Sequence, residues 1–350
     1  MNLPIKYGLP VNLLSACFNN TSATYKYYWF LSILQCLEDG KIKIKKKYLF
    51  ARMISNAWYT VNYFHISFGK QDRLQRAIET IKNCEPLTID DKRDKILNHL
   101  INTNNKNSLD QLKYFNNQVP HWFLSPWFPQ MNRNDIYIAS QGFKNQCLYS
   151  LNEEQIEINE EWLKYINQNI KVLKDFCYWN LVIFLQAKNP NVPDIPNKLI
   201  KPALRNSLIN QRKNFWDIVV KELGSVDCIY TGKRLTIGNY AVEHFIPYSF
   251  VSHDLIWNLI PADKSFNSTK SDKLPTLDKY FNPFFLMQES AIKIVKEKTP
   301  NNKLLEDYLT IFSDLEELDG LSECFTKDKF RDRLQPLITI ASNNGFEFMY

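Results

Sequence analysis

Apolar residues recur at helical spacing through most of the first hundred residues. The segment 23–40 carries apolar side chains three or four positions apart and stops at Gly40. The segment 46–64 continues this period, and 88–100 forms a further amphipathic stretch. These patterns predict a mainly helical N-terminal region.

Two shorter segments follow the alternation that is typical of strands. The stretch "KIKIKKK" at 41–47 alternates lysine with isoleucine, which predicts a short strand with a basic outer face. The segment 146–162 predicts a hairpin. After it, 161–187 reads as one long helix, which ends at the proline-rich stretch 188–196.

The intervening stretch, 102–145, is rich in asparagine and interrupted by prolines. Its aromatic cluster "VPHWFLSPWF" (119–128) has two interpretations: core packing beneath a loop, or a surface on which nucleic-acid bases stack. Core packing is the commoner use of such a cluster, and we favour it. His121 within the cluster has no partner in any motif and is interpreted as structural.

A compact succession of strands and a helix is predicted in the second half of the chain. The segment "NYAVEHF" (239–245) reads as a strand, "IPYSFVSHD" (246–254) as a loop, and "IWNLIP" (256–261) as a second strand. The polar segment "ADKSFNSTKSDKL" (262–274) then predicts a short helix that Pro275 ends.

We therefore predict an α+β protein in two parts. Residues 1–190 form a mostly helical region that contains a β-hairpin. Residues 191–350 hold the strand–strand–helix unit, with its core at 225–275, and further helices that follow it. The sequence leaves open whether residues 1–190 act in sensing, in targeting or in binding a partner.

Composition narrows the class of protein. Of the 350 residues, 45% are hydrophobic and 14% aromatic, which is enough to build a sizeable core. No apolar run approaches the roughly 20 residues that a membrane span needs, and no leader pattern opens the chain. We therefore expect a cytoplasmic protein that has no membrane partner.

Cysteine and glycine usage argues against two kinds of cofactor site. The seven cysteines form no Cys-x-x-Cys pair, so we expect buried free thiols and no zinc site. The nine glycines fit neither a P-loop nor a Rossmann motif, so no nucleotide cofactor is expected.

The charge distribution offers candidate contacts to nucleic acid. The formal net charge is +6, and no acidic residue occurs between Ile195 and Trp216, where basic residues are concentrated. An ordinary solvated face and a phosphate-binding surface both explain such a run. The candidate contacts are Lys198, Lys201, Arg205, Arg212, Lys213 and, farther along the chain, Lys233.

Candidate chemistry is concentrated in the strand–strand–helix unit. Glu243 and Asn267 offer oxygen ligands that would converge on one hard divalent cation if the helix packs across the strands. Magnesium suits such ligands, with manganese as an alternative ion. His244 would take a proton from water, because an imidazole with its ordinary pKa of about 6.5 is suited to this task near neutral pH.

Further polar residues complete the candidate site. Asn258, predicted in the second strand, would hold the loop and the imidazole in position through its amide. Lys270 lies one helical turn after Asn267 and would contact phosphate as a point charge. His253 and Asp254 are interpreted as loop or capping residues rather than catalytic ones.

This stretch resembles the HNH endonucleases, which have the ββα-metal fold. The likeness rests on the Glu243-His244 pair, on Asn258 and Asn267 at 14 and 23 residues after His244, and on the "FIP" step behind the histidine. The flanking "CIYTGK" and "NSTKSDKLP" make it most similar to the HNH domain of the CRISPR RNA-guided nucleases. A lone Glu-His pair is more often structural, so the joint spacing carries the hypothesis.

Two departures from the family pattern affect what the resemblance implies. Many relatives have an aspartate where this chain has Glu243, which adds a methylene between backbone and metal. Others carry zinc-binding Cys-x-x-Cys pairs, of which Cys228 alone could be a remnant.

The resemblance implies metal-dependent hydrolysis of phosphodiester bonds, usually in DNA, with 5′-phosphate and 3′-hydroxyl products. It is compatible with restriction or anti-phage defence, and with a protein activator that binds the N-terminal region. Two alternatives stay open. One is a nucleic-acid-binding or scaffold subunit whose nuclease centre is vestigial, and the other is an HNH enzyme that cleaves RNA.

Overall fold

The computed structural model describes residues 3–200, 207–312 and 318–349, without the side chains of Ile200, Asn267, Ser268 and Asp319. The chain divides into two compact units. The first comprises Met1–Pro190 with Ile195–Ala203, and the second comprises Asn191–Asp194 with Leu204–Tyr350.

The first unit is mainly helical. The predicted helices at 23–40, 46–64 and 161–187 are confirmed, as α2, α3 and α9. Its helices are α1 (Val11–Ala16), α2 (Tyr25–Glu38), α3 (Lys46–Asn62), α4 (Arg73–Cys84), α5 (Arg93–Asn102), α6 (Lys106–Tyr114), α7 (Pro120–Phe123), α8 (Arg133–Gln141), α9 (Glu160–Lys188) and α10 (Ile195–Ile200).

Local sequence signals set the ends of the long helix α9. The side chain of Asn159 accepts a hydrogen bond from the backbone N–H of Glu161, and acidic residues occupy the first turn. The helix stops at Lys188, two residues before Pro190, whose ring cannot continue it.

A small antiparallel sheet packs with these helices. Strands β1 (Lys43–Lys45), β2 (Tyr149–Leu151) and β3 (Gln155–Ile158) lie in the order β1-β3-β2, with Ile44 opposite Ile156. The predicted hairpin at 146–162 is confirmed as β2 and β3.

The predicted basic strand at 41–47 is only partly right. Lys46 and Lys47 already belong to α3, and Lys46 is 3% exposed rather than part of a solvated outer face. The strand ends at Lys45 because this residue, in an extended conformation, is the N-cap from which the helix begins.

The aromatic cluster at 119–128 is mostly core. Val119, Phe123, Trp127 and Phe128 are buried, whereas Trp122 is 51% exposed. Core packing is therefore the correct interpretation of this cluster.

The second unit combines short strand pairs with helices. Its helices are α11 (Ile209–Gln211), α12 (Asp217–Leu223), α13 (Tyr248–Val251), α14 (Lys264–Lys270), α15 (Leu277–Lys298), α16 (Leu321–Cys324) and α17 (Lys327–Asn343). Its strands are β4 (Val226–Asp227), β5 (Arg234–Leu235), β6 (Ala241–His244) and β7 (Leu259–Ala262), and both β4/β5 and β6/β7 are antiparallel pairs. The fold class is α+β, as predicted.

The predicted order of strand, loop, strand and helix is present as β6, α13 with its flanking loop, β7 and α14. One assignment was wrong. Asn258 lies at the end of a 3-10 turn, Ile256–Asn258, directly before β7 rather than within a strand. The helix is also shorter than the prediction of 262–274. It begins after Asp263, which accepts the N–H of Ser265 at 3.1 Å, and it ends before Ser271, which has a φ of 50°.

Later elements hold this motif in place. The ring of Phe284, on α15, stacks on that of Phe245 with centroids 3.9 Å apart. Gln288 of the same helix donates a hydrogen bond to the carbonyl of Leu259 at 2.7 Å. At the other end of the motif, the N–H of Leu274 donates to the carbonyl of Glu347 at 2.8 Å.

Two further features of the described residues concern membrane-spanning helices and the state of the cysteines. None of the helices described has both the length and the apolar character that a bilayer crossing requires. The seven cysteines are free thiols, and five of them are buried.

Candidate active site

Glu243 and His244 are the last two residues of β6, paired with Ile260 and Leu259 of β7. Successive strand residues point to opposite faces. Accordingly, Glu243 meets the helix α14, while the His244 imidazole meets the loop between the strands. Both residues are largely buried, with 4% and 5% of their surface exposed.

The imidazole of His244 is held by a carboxylate. Its Nε2 lies 3.0 Å from Oδ1 of Asp254, and the ring of Tyr248 packs against it with an edge-on geometry at 5.5 Å. An ionised carboxylate only accepts hydrogen bonds, so Nε2 carries the proton of a neutral imidazole. The lone pair is then on Nδ1, which is the nitrogen that can act as a base.

The contact of Asp254 with His244 is a feature of the candidate site that the sequence did not predict. The sequence indicates only a loop residue, because a position ten residues after the histidine has no fixed relation to it until the loop conformation is known.

The loop that carries Asp254 is anchored on its C-terminal side. The N–H of Ile256 donates to Asp307 at 2.8 Å, and Trp257 Nε1 donates to Thr310 at 3.0 Å. Burial raises the pKa of Asp307, and the hydrogen bond from Ile256 partly opposes this.

Asn258 fixes the start of the same loop. Its Oδ1 accepts the N–H of Ile246 at 2.8 Å, and its Nδ2 donates to the carbonyl of Ile246 at 2.9 Å. The residue is completely buried. Among the described residues its amide bonds Ile246 and not the imidazole, so Asn258 positions the loop and is not placed to contact a reacting group.

Lys270 differs most from its predicted role as a phosphate contact. Its side chain is buried, and Nζ lies 3.2 Å from Oε1 of Glu243 and 2.7 Å from the carbonyl oxygen of His244. The position of Lys270 at the end of α14, against β6, explains the contact. The ammonium would have to leave Glu243 before it could reach a phosphate.

The two oxygen atoms that contact this ammonium would also suit a divalent cation. A carboxylate oxygen and a carbonyl oxygen together stabilise positive charge, and both are ligand types that Mg²⁺ and Mn²⁺ prefer. The side chain of Asn267 lies outside the described residues, so its pairing with Glu243 stays a prediction. Within the described part of the chain, no group of three or more His, Cys, Asp or Glu residues is arranged to hold a metal.

Tyr230 adds an unused polar atom near Glu243. Its ring stacks on Phe266 with centroids 4.8 Å apart, and its buried hydroxyl has no hydrogen-bond partner among the residues described. Burial raises the pKa of Tyr230 well above its ordinary value, and the charge of Glu243 raises it further. A water ligand of a cation at Glu243 would give this hydroxyl a partner.

Cys228 has a structural contact in this unit. It is buried, and its sulfur accepts the N–H of Asp263 at 3.4 Å, immediately before α14.

The candidate nucleic-acid contact Lys198 is not supported by its surroundings. Lys198 is 1% exposed, and its ammonium lies 5.9 Å from the ring centroid of Phe64. So buried a side chain cannot serve as a surface contact to the backbone of a DNA duplex. Lys201 and Arg205 lie outside the described residues.

The candidate contacts of the second unit are more accessible. Arg212 is 3.9 Å from Asp217 and lies over the ring of Tyr240. Lys213 is exposed, and the side chain of Lys233 is 63% exposed although it pairs with Asp263 at 2.5 Å. This ion pair lowers the pKa of Asp263.

Comparison with known proteins identifies one segment of the chain. Residues 228–276 match a protein family described as HNH endonuclease. No curated protein and no solved structure matches the chain. The closer similarity to the CRISPR nucleases therefore stays a prediction. The match spans both strands of the β6/β7 pair, the loop that holds Asp254, and α14. This segment of the chain is therefore similar to the HNH endonucleases.

Proposed function

We propose that this chain is a metal-dependent endonuclease that hydrolyses phosphodiester bonds of DNA. The observation that carries the proposal is the contact between His244 Nε2 and Asp254 at the end of β6, next to Glu243 and within the family-matched segment. Metal-dependent phosphodiester hydrolysis uses a base that activates water and a ligand that binds the cation. An imidazole oriented by one carboxylate, next to a second carboxylate that can bind a metal ion, supplies both.

His244 acts as the general base. Its Nδ1 takes the proton of the water that attacks phosphorus, and the imidazole becomes positively charged. Asp254 stabilises that charge through the hydrogen bond at Nε2, at a distance of 3.0 Å. Tyr248 restricts the ring from the side, so the base keeps one orientation.

Glu243 would hold the cation, together with the predicted ligand Asn267. When bound, a divalent cation supplies charge that stabilises the phosphoryl oxygens and the departing 3′ oxygen. Lys270 would then give up its contact with Glu243, and its ammonium would be available to a phosphate oxygen.

DNA is the substrate we propose, with two exposed basic side chains as candidate contacts: Lys233 within the family-matched segment and Lys213 before it. The biological setting we propose, restriction or anti-phage defence with an activator that binds the first unit, rests on the family resemblance alone.

The test offers supercoiled plasmid and a structured RNA to the full-length protein, with Mg²⁺ or Mn²⁺ and with or without a chelator. We expect metal-dependent nicking or linearisation of the plasmid, with ends that carry 5′-phosphate and 3′-hydroxyl groups. A His244→Ala preparation purified in parallel reports contaminating nuclease. Cleavage of RNA alone would assign the enzyme to the RNA-cleaving alternative.

The second candidate function is a nucleic-acid-binding subunit with an inactive centre. The observation that favours it is the burial of both Glu243 and His244, with the carboxylate already paired to an ammonium. DNA binding that is equal in wild type and His244→Ala, without cleavage by either protein under any metal condition, would support this second candidate.

A further inference from the structure

A cavity in the first unit carries chemistry that the nuclease centre does not use. It has a volume of about 470 Å³, within the range of about 300–1,000 Å³ that is usual for small-molecule sites. Its wall combines basic, amide, apolar and acidic side chains. The lining residues that matter here are Lys46, Lys47, Lys113, Asn116, Phe50 and Glu153.

The central feature of this cavity is a buried ammonium with neutral partners. Lys46 is 3% exposed, and its Nζ lies 2.7 Å from the hydroxyl of Tyr137 and 3.1 Å from Oδ1 of Asn116. No carboxylate of the described residues lies within ion-pair distance of it. Burial lowers the pKa of Lys46, and the hydrogen bond that its ammonium donates to Tyr137 opposes the effect. A cation buried in this way gains most from an anion that enters beside it.

Other cations surround the same region. Arg133 Nη1 donates to Oδ1 of Asn117, a lining residue, at 2.6 Å, and its guanidinium faces the ring of Tyr137. The nearby His121 reports the local charge. Its pKa is lowered to about 4 by burial and by the positive charges of Arg133 and Lys46.

The remainder of the wall suits the organic part of a ligand. Phe50, Leu109 and Leu112 provide apolar surface. Glu153 and Glu154 also line the cavity, where they can accept hydrogen bonds from hydroxyl or amino groups. A bare anion would gain nothing from these two kinds of side chain, whereas an organic phosphate would contact both.

We propose that this cavity binds a nucleotide, with its phosphate at Lys46 and its organic part against the apolar wall. The absence of glycine motifs excludes P-loop and Rossmann binding, and it does not bear on a pocket built from lysine and asparagine side chains. The site lies in the first unit and is independent of the proposed nuclease activity. It would give that unit a role as the sensor of a small phosphate ester.

The test is calorimetric titration of the full-length protein with ATP, AMP, adenosine and inorganic triphosphate. A chelator is present throughout, so that the nuclease centre takes no part. Lys46→Met removes the buried charge and keeps the length of the side chain. Lys43→Met is the matched control, because it removes the same charge from an exposed lysine of β1 in the same unit.

We expect ATP or AMP to bind wild type, Lys46→Met to weaken this binding by about tenfold or more, and Lys43→Met to leave it within about twofold. Adenosine and triphosphate bind more weakly than the nucleotide. Lys113→Met, at an exposed position of the cavity wall, tests the same site with little risk to folding, and we expect it to weaken binding by about threefold.

Three results would overturn the proposal. The first is the lack of nucleotide binding to wild type, which would make Lys46 a structural tether between α3, Asn116 and α8. The second is an equal loss in Lys43→Met and Lys46→Met, which would indicate general attraction to a basic surface. The third is triphosphate binding as tight as that of ATP, which would show that the apolar wall does not bind the nucleoside part of the ligand.

Discussion

At the scale of single residues, Asp254 decides which nitrogen of His244 can act as a base. The contact at 3.0 Å places the imidazole proton on Nε2 and leaves Nδ1 free to accept one. In the proposed reaction, the same carboxylate would stabilise the charge that develops on the ring during proton transfer. A neutral amide at this position can donate as well as accept, so it would not fix the tautomer.

Asp254→Asn should therefore lower the single-turnover rate of DNA cleavage by about 10–100-fold, with little change in DNA affinity. Asp254→Glu, which restores the charge, should recover part of the rate. An unchanged rate in the Asn variant would show that Asp254 has no part in the reaction.

The ammonium of Lys270 pairs with Glu243, so we expect it to compete with a cation for this carboxylate. Lys270→Met leaves a buried carboxylate without its ammonium, which destabilises the protein in the absence of metal and favours cation binding. We expect Mn²⁺ to bind this variant about tenfold more tightly than wild type, measured by calorimetry. Mn²⁺ should also raise the melting temperature of the variant by more than it raises that of wild type. Equal or weaker Mn²⁺ affinity would show that the lysine does not oppose the metal.

His121 gives the first unit a stability that depends on pH. Its pKa in the folded protein is about 4, below the value of about 6.5 of an exposed histidine, so the unfolded chain binds the proton more readily. The contribution of His121 to the free energy of unfolding is therefore present above pH ~6.5 and is lost as the pH falls towards 4.

At pH 5 the loss is about 1–2 kcal/mol. Denaturant unfolding at pH 7 and pH 5 should show this difference for wild type and a smaller one for His121→Gln. The same pH dependence in both proteins would contradict the assignment.

At the scale of elements, the loop between β6 and β7 depends on one buried amide. Asn258 satisfies both backbone polar groups of Ile246, and removal of the side chain leaves them unpaired in the core. Asn258→Ala should lower the free energy of unfolding by about 2–4 kcal/mol, measured in urea by tryptophan fluorescence. The exposed Asn301→Ala is the control and should stay within about 0.5 kcal/mol. Equal free energies of unfolding for the two variants would show that the Asn258 side chain does not stabilise the loop.

Elements with long periodic patterns were predictable from the sequence. Helix α9 and the β2/β3 hairpin follow directly from their spacing and from Pro190. The turn at Asn258 was not predictable, because its apolar neighbours are typical of a strand and the buried bond to Ile246 is a tertiary contact. The strand at 41–47 was overextended for the same kind of reason: the burial of Lys46 depends on Tyr137 and Asn116, which are distant in sequence.

The candidate site was predictable to a similar extent. The sequence spacing identified Glu243 and His244, which lie together at a strand end. It missed the role of Asp254 and gave Lys270 an exposed role, because both contacts depend on how a loop and a short helix fold back on β6. Burial of a lysine cannot be derived from a polar helical segment alone.

At the scale of the whole molecule, the chain combines two units of different character. The first is mainly helical and contains the cavity around Lys46, and the second contains the family-matched segment and its supporting helices. If the first unit binds a nucleotide and the second cleaves DNA, ligand binding by the first provides a means to control the second. A change in cleavage rate on addition of ATP to wild type, and not to Lys46→Met, would establish that connection.

The central claim is that the imidazole of His244 performs the proton transfer of phosphodiester hydrolysis. The most direct measurement is the single-turnover rate of cleavage of an end-labelled DNA duplex, with Mg²⁺, by wild type and by His244→Ala of equal folding and DNA affinity. We predict a fall of about 10²–10⁴-fold in the variant. Equal rates in the two proteins would contradict the claim.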